Sequence, residues 1–262
     1  MKLSISNIGW TEANDLQVYA LMQKYGFSGL EIAPTRILPQ NPYDRLPEIR
    51  RWSEKLQEDY GFSVPSMQSI WYGRSESIFG SQEERQALLE YTKKAVDFAQ
   101  AIGCGNLVFG CPRNRNLPEG ADPETAVSFF RELGDYAKTH NTVIGMEANP
   151  PIYNTNYIND TASALALIRA VDSRGFRLNL DVGTMVHNEE SLDEIAGHVD
   201  LINHVHISEP YLAPVQERTL HADLLALLKG AGYRGYVSIE MGRQEDLSLL
   251  ENVMAYLAAI QA

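Results

Sequence analysis

Short β-like runs alternate with longer amphipathic stretches along the whole sequence, and this alternation restricts the fold more than any other feature. Eight runs are predicted as strands, at residues 2–8, 29–33, 62–69, 105–110, 142–148, 176–182, 201–207 and 236–241. Helices are predicted between and after them, at residues 12–25, 45–60, 82–102, 123–139, 161–172, 191–197, 219–230 and 245–261. Eight strand–helix units in 262 residues predict an α/β fold, a single (β/α)8 TIM barrel domain spanning 1–262. An open doubly wound sheet is the alternative, but no glycine-rich nucleotide-binding motif follows any predicted strand.

Composition narrows the classes of partner. The formal net charge of −12 disfavours nucleic acid and anionic membrane surfaces, both of which attract basic proteins. The sequence has no run of about 18 apolar residues, and its first residues lack the apolar core of a signal peptide. Two cysteines, Cys104 and Cys111, are too few for a disulfide framework. We therefore expect a cytoplasmic protein with reduced thiols and a small-molecule partner; a homo-oligomer is compatible with the sequence.

Four successive predicted strands carry a ligand-type side chain near the carboxyl end. The side-chain period of two in a strand turns these four toward the barrel interior, while apolar neighbours such as Ile144 and Ile239 face the helices. Active sites of such barrels lie at this end of the strands. The four residues are Glu147, Asp181, His206 and Glu240.

A divalent cation would explain why three carboxylates converge on one small space. Burying a charge without compensation costs several kcal/mol, and like charges also repel one another. Three carboxylates and one imidazole suit manganese, with magnesium, cobalt or zinc as alternatives. The predicted cofactor is therefore one divalent metal ion. His204, two residues before His206 on the same strand face, is assigned to a deeper polar layer and not to the metal.

Other polar and aromatic residues are candidates for substrate contact. Each also has a structural interpretation, as a buried polar group, a packed aromatic ring or a solvated loop residue. Arg113 or Arg115 has the planar fork that binds a carboxylate or phosphate. Residues 153–157 are interpreted as a polar loop that closes over the site. The candidates are Gln68, Trp71, Arg113, Tyr153, Thr184 and His187, with Glu31 and His221 as weaker ones.

At these residues the sequence resembles the xylose isomerase-like TIM-barrel superfamily of sugar isomerases and epimerases. The resemblance covers nearly the whole chain and lies in YGFSGLEI at 25–32, EANP at 147–150, LNLDVG at 178–183, HVHI at 204–207 and GYRGYVSIE at 232–240. It is specific for the superfamily and not for a substrate. In ketose 3-epimerases of this family the matching residues bind Mn²⁺ or a similar ion. The resemblance assigns the metal to Glu147, Asp181, His206 and Glu240, and the proton transfer to the two glutamates.

Two positions depart from the pattern of the ketose epimerases. Thr184 occupies the position of a substrate-contacting histidine, and the nearest histidine is His187. Tyr153 occupies the position of a second glutamate. The metal residues match while these substrate-contacting residues differ, so we expect poor turnover of free ketohexoses. A keto-sugar derivative, a sugar acid or a cyclic polyol ketone is the expected substrate.

The expected reaction is proton abstraction next to a carbonyl through an enediolate. A metal that chelates the carbonyl and a neighbouring hydroxyl stabilises the enediolate, and Glu147 and Glu240 would act as base and acid. The predicted function is therefore a divalent-metal-dependent sugar isomerase or epimerase. The alternatives are a metal-dependent dehydratase of a cyclic or acidic keto-polyol, and a non-catalytic sugar-binding barrel. The endonuclease branch of the superfamily needs more histidine ligands, and six histidines with a net charge of −12 disfavour it.

Overall fold

Seven regular strands form one parallel sheet. The structure is a computed structural model that describes residues 1–261. The sheet order is β2-β1-β7-β6-β5-β4-β3, and every pairing is parallel. The strands are β1 (Lys2–Ser6), β2 (Gly29–Glu31), β3 (Leu107–Phe109), β4 (Ile144–Met146), β5 (Phe176–Asp181), β6 (Ile202–Ile207) and β7 (Tyr236–Ile239).

Residues 62–69 close the barrel between β2 and β3, although they do not form the regular strand predicted for them. Isolated bridges join Ile32 to Met67 and Met67 to Leu107. The Ile32 N–H donates to the carbonyl of Ser66 (3.2 Å), and the Val108 N–H donates to that of Met67 (2.8 Å). Pro65 has no N–H to contribute, which interrupts a regular ladder. The predicted barrel is confirmed, with one irregular wall.

Helices cover the outside of the sheet. Ser81 and Glu84 form a reciprocal capping box, and Gly26 and Gly61 end two helices in the left-handed conformation. Within residues 1–261, no helix combines the length and apolar character needed to cross a membrane. The helices are α1 (Asp15–Tyr25), α2 (Pro34–Ile37), α3 (Leu46–Tyr60), α4 (Gln82–Ala101), α5 (Glu124–Thr139), α6 (Thr161–Val171), α7 (Val182–Asn188), α8 (Asp193–Ala196), α9 (Thr219–Gly230) and α10 (Leu247–Gln261).

The barrel interior is polar, whereas the layer between sheet and helices is apolar. Side chains such as Ile144 and Leu180 are buried in the hydrophobic core. Inside the barrel, Asn106 Nδ2 donates to Asn179 Oδ1 (3.2 Å) and Gln68 Nε2 donates to the Ser6 hydroxyl (3.2 Å). Strand alternation produces this division, because successive side chains point to opposite faces. The polar interior leads to the carboxyl ends of the strands.

Gly175 sets the distance between α5 and the start of β5. A Cβ at this position would lie 1.9 Å from the carbonyl oxygen of Gly134, which is backbone and has no rotamer to change. We expect Gly175→Ala to lower the free energy of unfolding by about 1–3 kcal/mol, the usual cost of overpacking. Denaturant unfolding measures this. Gly197→Ala is the matched control, because a Cβ there meets nothing within 4 Å and should change stability by less than about 0.5 kcal/mol.

Candidate active site

The four predicted ligand residues lie together at the carboxyl ends of the strands. Glu147 directly follows β4, Asp181 ends β5, His206 is the penultimate residue of β6 and Glu240 directly follows β7. One ligand atom from each lies within 4.8 Å of the others. Because the strands are parallel and adjacent in the sheet, their ends bring residues far apart in sequence to one place.

His206 lies at the centre of this cluster. Its Nδ1 is 3.1 Å from Glu147 Oε2 and 3.2 Å from Glu240 Oε2, and its side chain is fully buried. Burial alone lowers the pKa of an imidazole, but the carboxylates of Glu240 and Glu31 raise the pKa of His206 well above its ordinary value. In the metal-free protein an imidazolium proton therefore compensates the carboxylates where a cation would otherwise do so.

Two amides orient the Glu147 carboxylate. Asn149 Nδ2 donates to its Oε1 (3.1 Å), and Asn179 Nδ2 donates to its Oε2 (2.9 Å). The backbone carbonyl of Glu147 accepts a hydrogen bond from Arg115 Nη1 (2.8 Å), and Arg115 Nη2 donates to Asn149 Oδ1 (3.0 Å). Arg115 is 0% exposed, so the guanidinium considered as an anion site instead holds the end of β4.

Asp181 joins the cluster to the start of α7. Its Oδ1 accepts a hydrogen bond from the Thr184 N–H (2.6 Å) in the first turn of that helix, and its Oδ2 accepts one from the Ser208 hydroxyl. Burial, and next the charge of Glu147, raise the pKa of Asp181 to about 6. Helix N-termini favour negative charge, so this carboxylate is well placed when ionised.

The carboxyl of Glu240 is also strongly perturbed. Burial raises its pKa to about 7, and the charges of Glu147 and Glu31 add to the increase, while His206 opposes it. An acid with a pKa near neutrality can both hold and release a proton under ordinary conditions. The perturbation marks Glu240 as a functional candidate on physical grounds.

Glu31, the last residue of β2, lies against the far side of His206. Its Oε2 is 2.9 Å from His206 Nε2 and 3.0 Å from His204 Nε2. Glu31 does not line the cavity beside the cluster, so the substrate contact considered for it is not seen. Burial raises the pKa of this carboxyl, but the two imidazoles together hold it well below its ordinary value.

A cavity of about 180 Å³ opens beside the three carboxylates of the cluster. It is smaller than the roughly 300–1,000 Å³ typical of sites for drug-sized ligands, which indicates a small substrate. Two of the residues considered for substrate contact, Gln68 and Tyr153, line it. The other lining residues are Ser69, Val108, Gly110, Cys111, Pro112, Glu147, Asn149, Asp181, Ser208, Glu209, Leu212 and Glu240.

Four residues predicted to contact substrate do not line the cavity. Trp71 is 3% exposed and packs edge-on against Phe109, with ring centroids 4.7 Å apart. The Thr184 hydroxyl donates to the carbonyl of Ala148 (2.8 Å) and is buried. Arg113 and His187 are exposed to solvent. Their positions next to strand ends in the sequence do not carry their side chains into the cavity.

His221, a weaker candidate, is buried on α9 and also lies outside the cavity lining. Its Nδ1 is 3.2 Å from the hydroxyl of Tyr256. Burial is the main cause that lowers the pKa of His221 to about 4. The histidine is therefore neutral near pH 7 and lies against Tyr256 on α10.

The loop after β6 supplies lining residues that the sequence analysis did not identify. Glu209 is buried, and its carboxylate accepts two hydrogen bonds from Arg218, from Nε (2.7 Å) and Nη2 (2.6 Å). This fork folds the loop back on itself and brings Ser208 and Leu212 to the cavity wall. The only available sequence signal was the position of Ser208 and Glu209 directly after the HVHI run.

Tyr153 joins two loops across the mouth of the barrel. Its hydroxyl accepts a hydrogen bond from the Tyr211 N–H (2.7 Å), and the two rings are 6.1 Å apart. Burial raises the pKa of Tyr153 to about 12, and the carboxylates of Asp181, Glu147 and Glu240 contribute to the increase. The phenol is therefore neutral near pH 7 and borders the cluster.

The donor set of the cluster fits a divalent cation. Carboxylate oxygens and one imidazole nitrogen suit Mn²⁺, Mg²⁺ or Co²⁺, and Zn²⁺ accepts the same donors. The ligand atoms lie within 4.8 Å of one another, a spread that one ion with bonds of about 2.0–2.4 Å can bridge. The Asn149 and Asn179 amides and the Thr184 N–H hold two of the three carboxylates toward the same point.

The sequence profile of the xylose isomerase-like TIM barrel family matches residues 19–260. No curated protein sequence matches the chain significantly. Among solved structures, 3-keto-D-glucoside 4-epimerase from E. coli is similar with a TM-score of 0.76 and 20% identity, over 100% of this chain and 99% of that one. D-psicose 3-epimerase from Clostridium cellulolyticum H10 is similar with a TM-score of 0.76 and 17% identity, over 99% and 97% of the two chains.

A third similar structure has a different name. It is an AP endonuclease, family 2, from Brucella melitensis, with a TM-score of 0.75, 20% identity and coverage of 99% of both chains. At these identities the similarities establish the fold that the three proteins share with this chain. They leave the reaction to be argued from the site residues.

Protons and a divalent ion compete for the same carboxylates, so we expect metal affinity to rise with pH. In the metal-free protein the pKa of Asp181 is about 6 and that of Glu240 about 7. Both carboxyls are therefore mainly protonated at pH 5 and mainly ionised at pH 8. Calorimetric titration with Mn²⁺ should show affinity increasing over this range, with proton release on binding near pH 6–7. An affinity that is constant from pH 5 to 8 would contradict this prediction.

The thermal stability of the metal-free protein should fall with rising pH, whereas its metal affinity rises. A carboxyl whose pKa is higher in the folded than in the unfolded state stabilises the fold at low pH, and this stabilisation is lost as pH rises through the folded value. The melting temperature of the metal-free protein should therefore fall between about pH 5 and pH 8. Glu240→Gln removes one of the two contributions and should flatten this profile, which makes it the matched control.

Proposed function

The chain belongs to the xylose isomerase-like TIM barrel family, and we propose that it is a divalent-metal-dependent isomerase or epimerase of a neutral keto-sugar. One observation carries the proposal. Two glutamates, Glu147 and Glu240, line one small cavity and share the cluster with Asp181 and His206. Their strands β4 and β7 are separated in the sheet by β5 and β6, so the two carboxylates reach the cavity from different sides.

Glu147, Asp181, His206 and Glu240 would hold one ion, and manganese is the ion we propose. When bound, it would act as a Lewis acid that polarises the substrate carbonyl and stabilises the charge of an enediolate. His206 contributes Nδ1, the nitrogen nearest to Glu147 and Glu240. Asp181 is kept in place by the first turn of α7. Magnesium, cobalt and zinc are the alternatives to manganese.

Glu147 and Glu240 are the proposed proton carriers. One carboxylate would remove a proton from the carbon next to the carbonyl, and the other would return a proton from the opposite side, which gives epimerisation. Return to the neighbouring carbon gives aldose–ketose isomerisation. Asn149 and Asn179 each donate to one oxygen of Glu147 and fix the plane of its carboxylate. Two similar structures are epimerases named for keto-sugars, which supports this class of reaction.

The charge of the cavity favours a neutral substrate. Four acidic residues line it, while its lining within the described chain contains no Lys, Arg or His. Arg218 neutralises Glu209, and a divalent ion would offset two of the three remaining carboxylates. The guanidinium of Arg115 is occupied by carbonyl oxygens and by Asn149. A phosphate or carboxylate on the substrate would therefore meet no free cation, which disfavours sugar acids, sugar phosphates and nucleic acid.

Substrate charge can be tested with a panel of neutral keto-sugars and keto-glycosides set against phosphorylated and carboxylated counterparts. In D₂O with saturating Mn²⁺, we expect solvent deuterium to enter carbon-bound positions of neutral compounds only, as followed by NMR. Free ketohexoses should be among the slower compounds, since Thr184 and Tyr153 replace a histidine and a glutamate. Exchange confined to the phosphorylated or carboxylated compounds would contradict the proposed substrate class. Absence of exchange from the whole panel would count against the enzyme proposal.

Glutamine variants separate proton transfer from metal binding. Gln keeps an oxygen that can coordinate but cannot accept the substrate proton, so Glu147→Gln and Glu240→Gln should each lower kcat by about 10²–10⁴-fold at saturating metal. The two variants should differ in which epimer still exchanges its proton with solvent. Asp181→Asn is the comparison variant, because Asp181 is proposed as a ligand only and excess metal should partly restore its activity. Full recovery of both glutamine variants by added metal would show that neither glutamate carries the proton.

A further inference from the structure

Glu31 is a fully buried carboxylate on the side of His206 that faces away from the cavity. Its Oε2 lies 2.9 Å from His206 Nε2 and 3.0 Å from His204 Nε2, and Glu31 is 0% exposed. The rings of His204 and His206 are nearly perpendicular, at 88°, with centroids 5.3 Å apart. One carboxylate oxygen thus lies within ion-pair distance of two imidazoles, and the contact with His206 has hydrogen-bond geometry while that with His204 does not.

The negative charge of Glu31 needs a physical explanation. A glutamine would fill the same space without the cost of burying a charge. The ion pairs that Glu31 makes within the described chain are with the two histidines, and its other oxygen, Oε1, has no hydrogen-bond partner there. The barrel therefore retains an expensive charged group whose contacts are two neighbouring imidazole nitrogens.

We propose that Glu31 is a positioning residue that fixes the tautomer and ring orientation of His206 and thereby sets the metal affinity of the cluster. The inference rests on the proposed metal site. A neutral imidazole carries a proton on only one nitrogen. When a cation occupies the Nδ1 side beside Glu147 and Glu240, the Glu31 carboxylate at Nε2 favours the proton there, because the other tautomer would bring a lone pair against a negative oxygen. Nδ1 is then free to coordinate on the side of Glu147 and Glu240.

His204 lies close to the same oxygen of Glu31. It lies two residues before His206 on the same strand face, so its Nε2 approaches the same oxygen from a lower layer of the barrel. The directional contact is therefore the hydrogen bond between Glu31 and His206, and the His204 ring packs beside it. Partners of this kind behind a ligating histidine typically change metal affinity about 10- to 100-fold when they are removed.

Glu31→Gln tests the charge while preserving size. We expect this variant to bind Mn²⁺ about 10- to 100-fold more weakly than the wild type in calorimetric titration. Ser4→Ala is the matched control, since Ser4 is equally buried inside the barrel on β1 and its hydroxyl has no partner within the described chain. The control should bind Mn²⁺ as tightly as the wild type does. Circular dichroism and thermal unfolding establish that each variant is folded.

¹⁵N NMR of the histidines reports which ring nitrogen of His206 carries the proton, and a merely structural role of Glu31 would leave this unchanged. In the wild-type protein loaded with diamagnetic Mg²⁺ or Zn²⁺, His206 should carry its proton on Nε2. In metal-loaded Glu31→Gln the Nε2 proton of His206 loses its charged acceptor, so its ¹H and ¹⁵N resonances should differ from those of the loaded wild type. If Glu31→Gln fails to fold, the wild-type spectrum decides, and a proton on Nδ1 of His206 in the loaded protein would overturn the proposal.

The outcomes distinguish this inference from the proposed function. A folded Glu31→Gln protein that binds Mn²⁺ within about twofold of the wild type would overturn the positioning role and leave the metal-dependent enzyme intact. A wild-type protein that binds none of the four candidate metals would overturn both. Weaker binding by Glu31→Gln together with unchanged binding by Ser4→Ala, and the Nε2 tautomer in the wild type, support the role of Glu31.

Discussion

The mutual repulsion of three clustered carboxylates, two of them buried, is the constraint on which the rest of the site depends. Glu147, Asp181 and Glu240 place oxygens within 4.8 Å of one another, where their charges are poorly screened. In the metal-free protein His206 compensates them, as its raised pKa indicates. The fold tolerates this electrostatic repulsion at the strand ends, because the apolar layer between sheet and helices supplies its stability. The donor set therefore fits a cation, and its protonation changes with pH in the absence of one.

Neutral amides and a backbone N–H orient the carboxylates of the cluster, a role that salt bridges with lysine or arginine play in other sites. Asn149, Asn179 and the Thr184 N–H each donate to a cluster carboxylate, and none of them carries a charge that would compete with a bound ion. The one arginine nearby, Arg115, acts through the backbone carbonyl of Glu147 and through Asn149. This arrangement orients the Glu147 carboxylate without pairing it with a lysine or arginine.

The sequence predicts the cluster better than it predicts the cavity around it. Strand alternation is local, so a period of two was enough to turn Glu147 and His206 inward. The position of the Trp71 side chain depends on contacts with Phe109 and Thr92, which belong to other elements and leave no local pattern in the sequence. The same holds for Arg115, whose acceptors lie 32 to 43 residues away. Pro65 was visible in the sequence, and its missing N–H explains why residues 62–69 form bridges instead of a regular strand.

The loop after β6 forms part of the cavity wall and contains strained backbone. Tyr211 and Leu212 both have left-handed backbones, with φ of 62° and 54°, and for non-glycine residues each costs about 1–3 kcal/mol. The Tyr211 N–H is bound by the Tyr153 hydroxyl, and the Leu212 carbonyl accepts from the Gly242 N–H (2.8 Å). The strained pair thus joins the loops that follow β4 and β7, the strands whose ends carry the two glutamates. The Tyr153 hydroxyl is the acceptor in this contact and can still donate its own proton, so Tyr153 gives its side of the cavity a phenol, with the amides of Gln68 and Asn149 elsewhere on the wall.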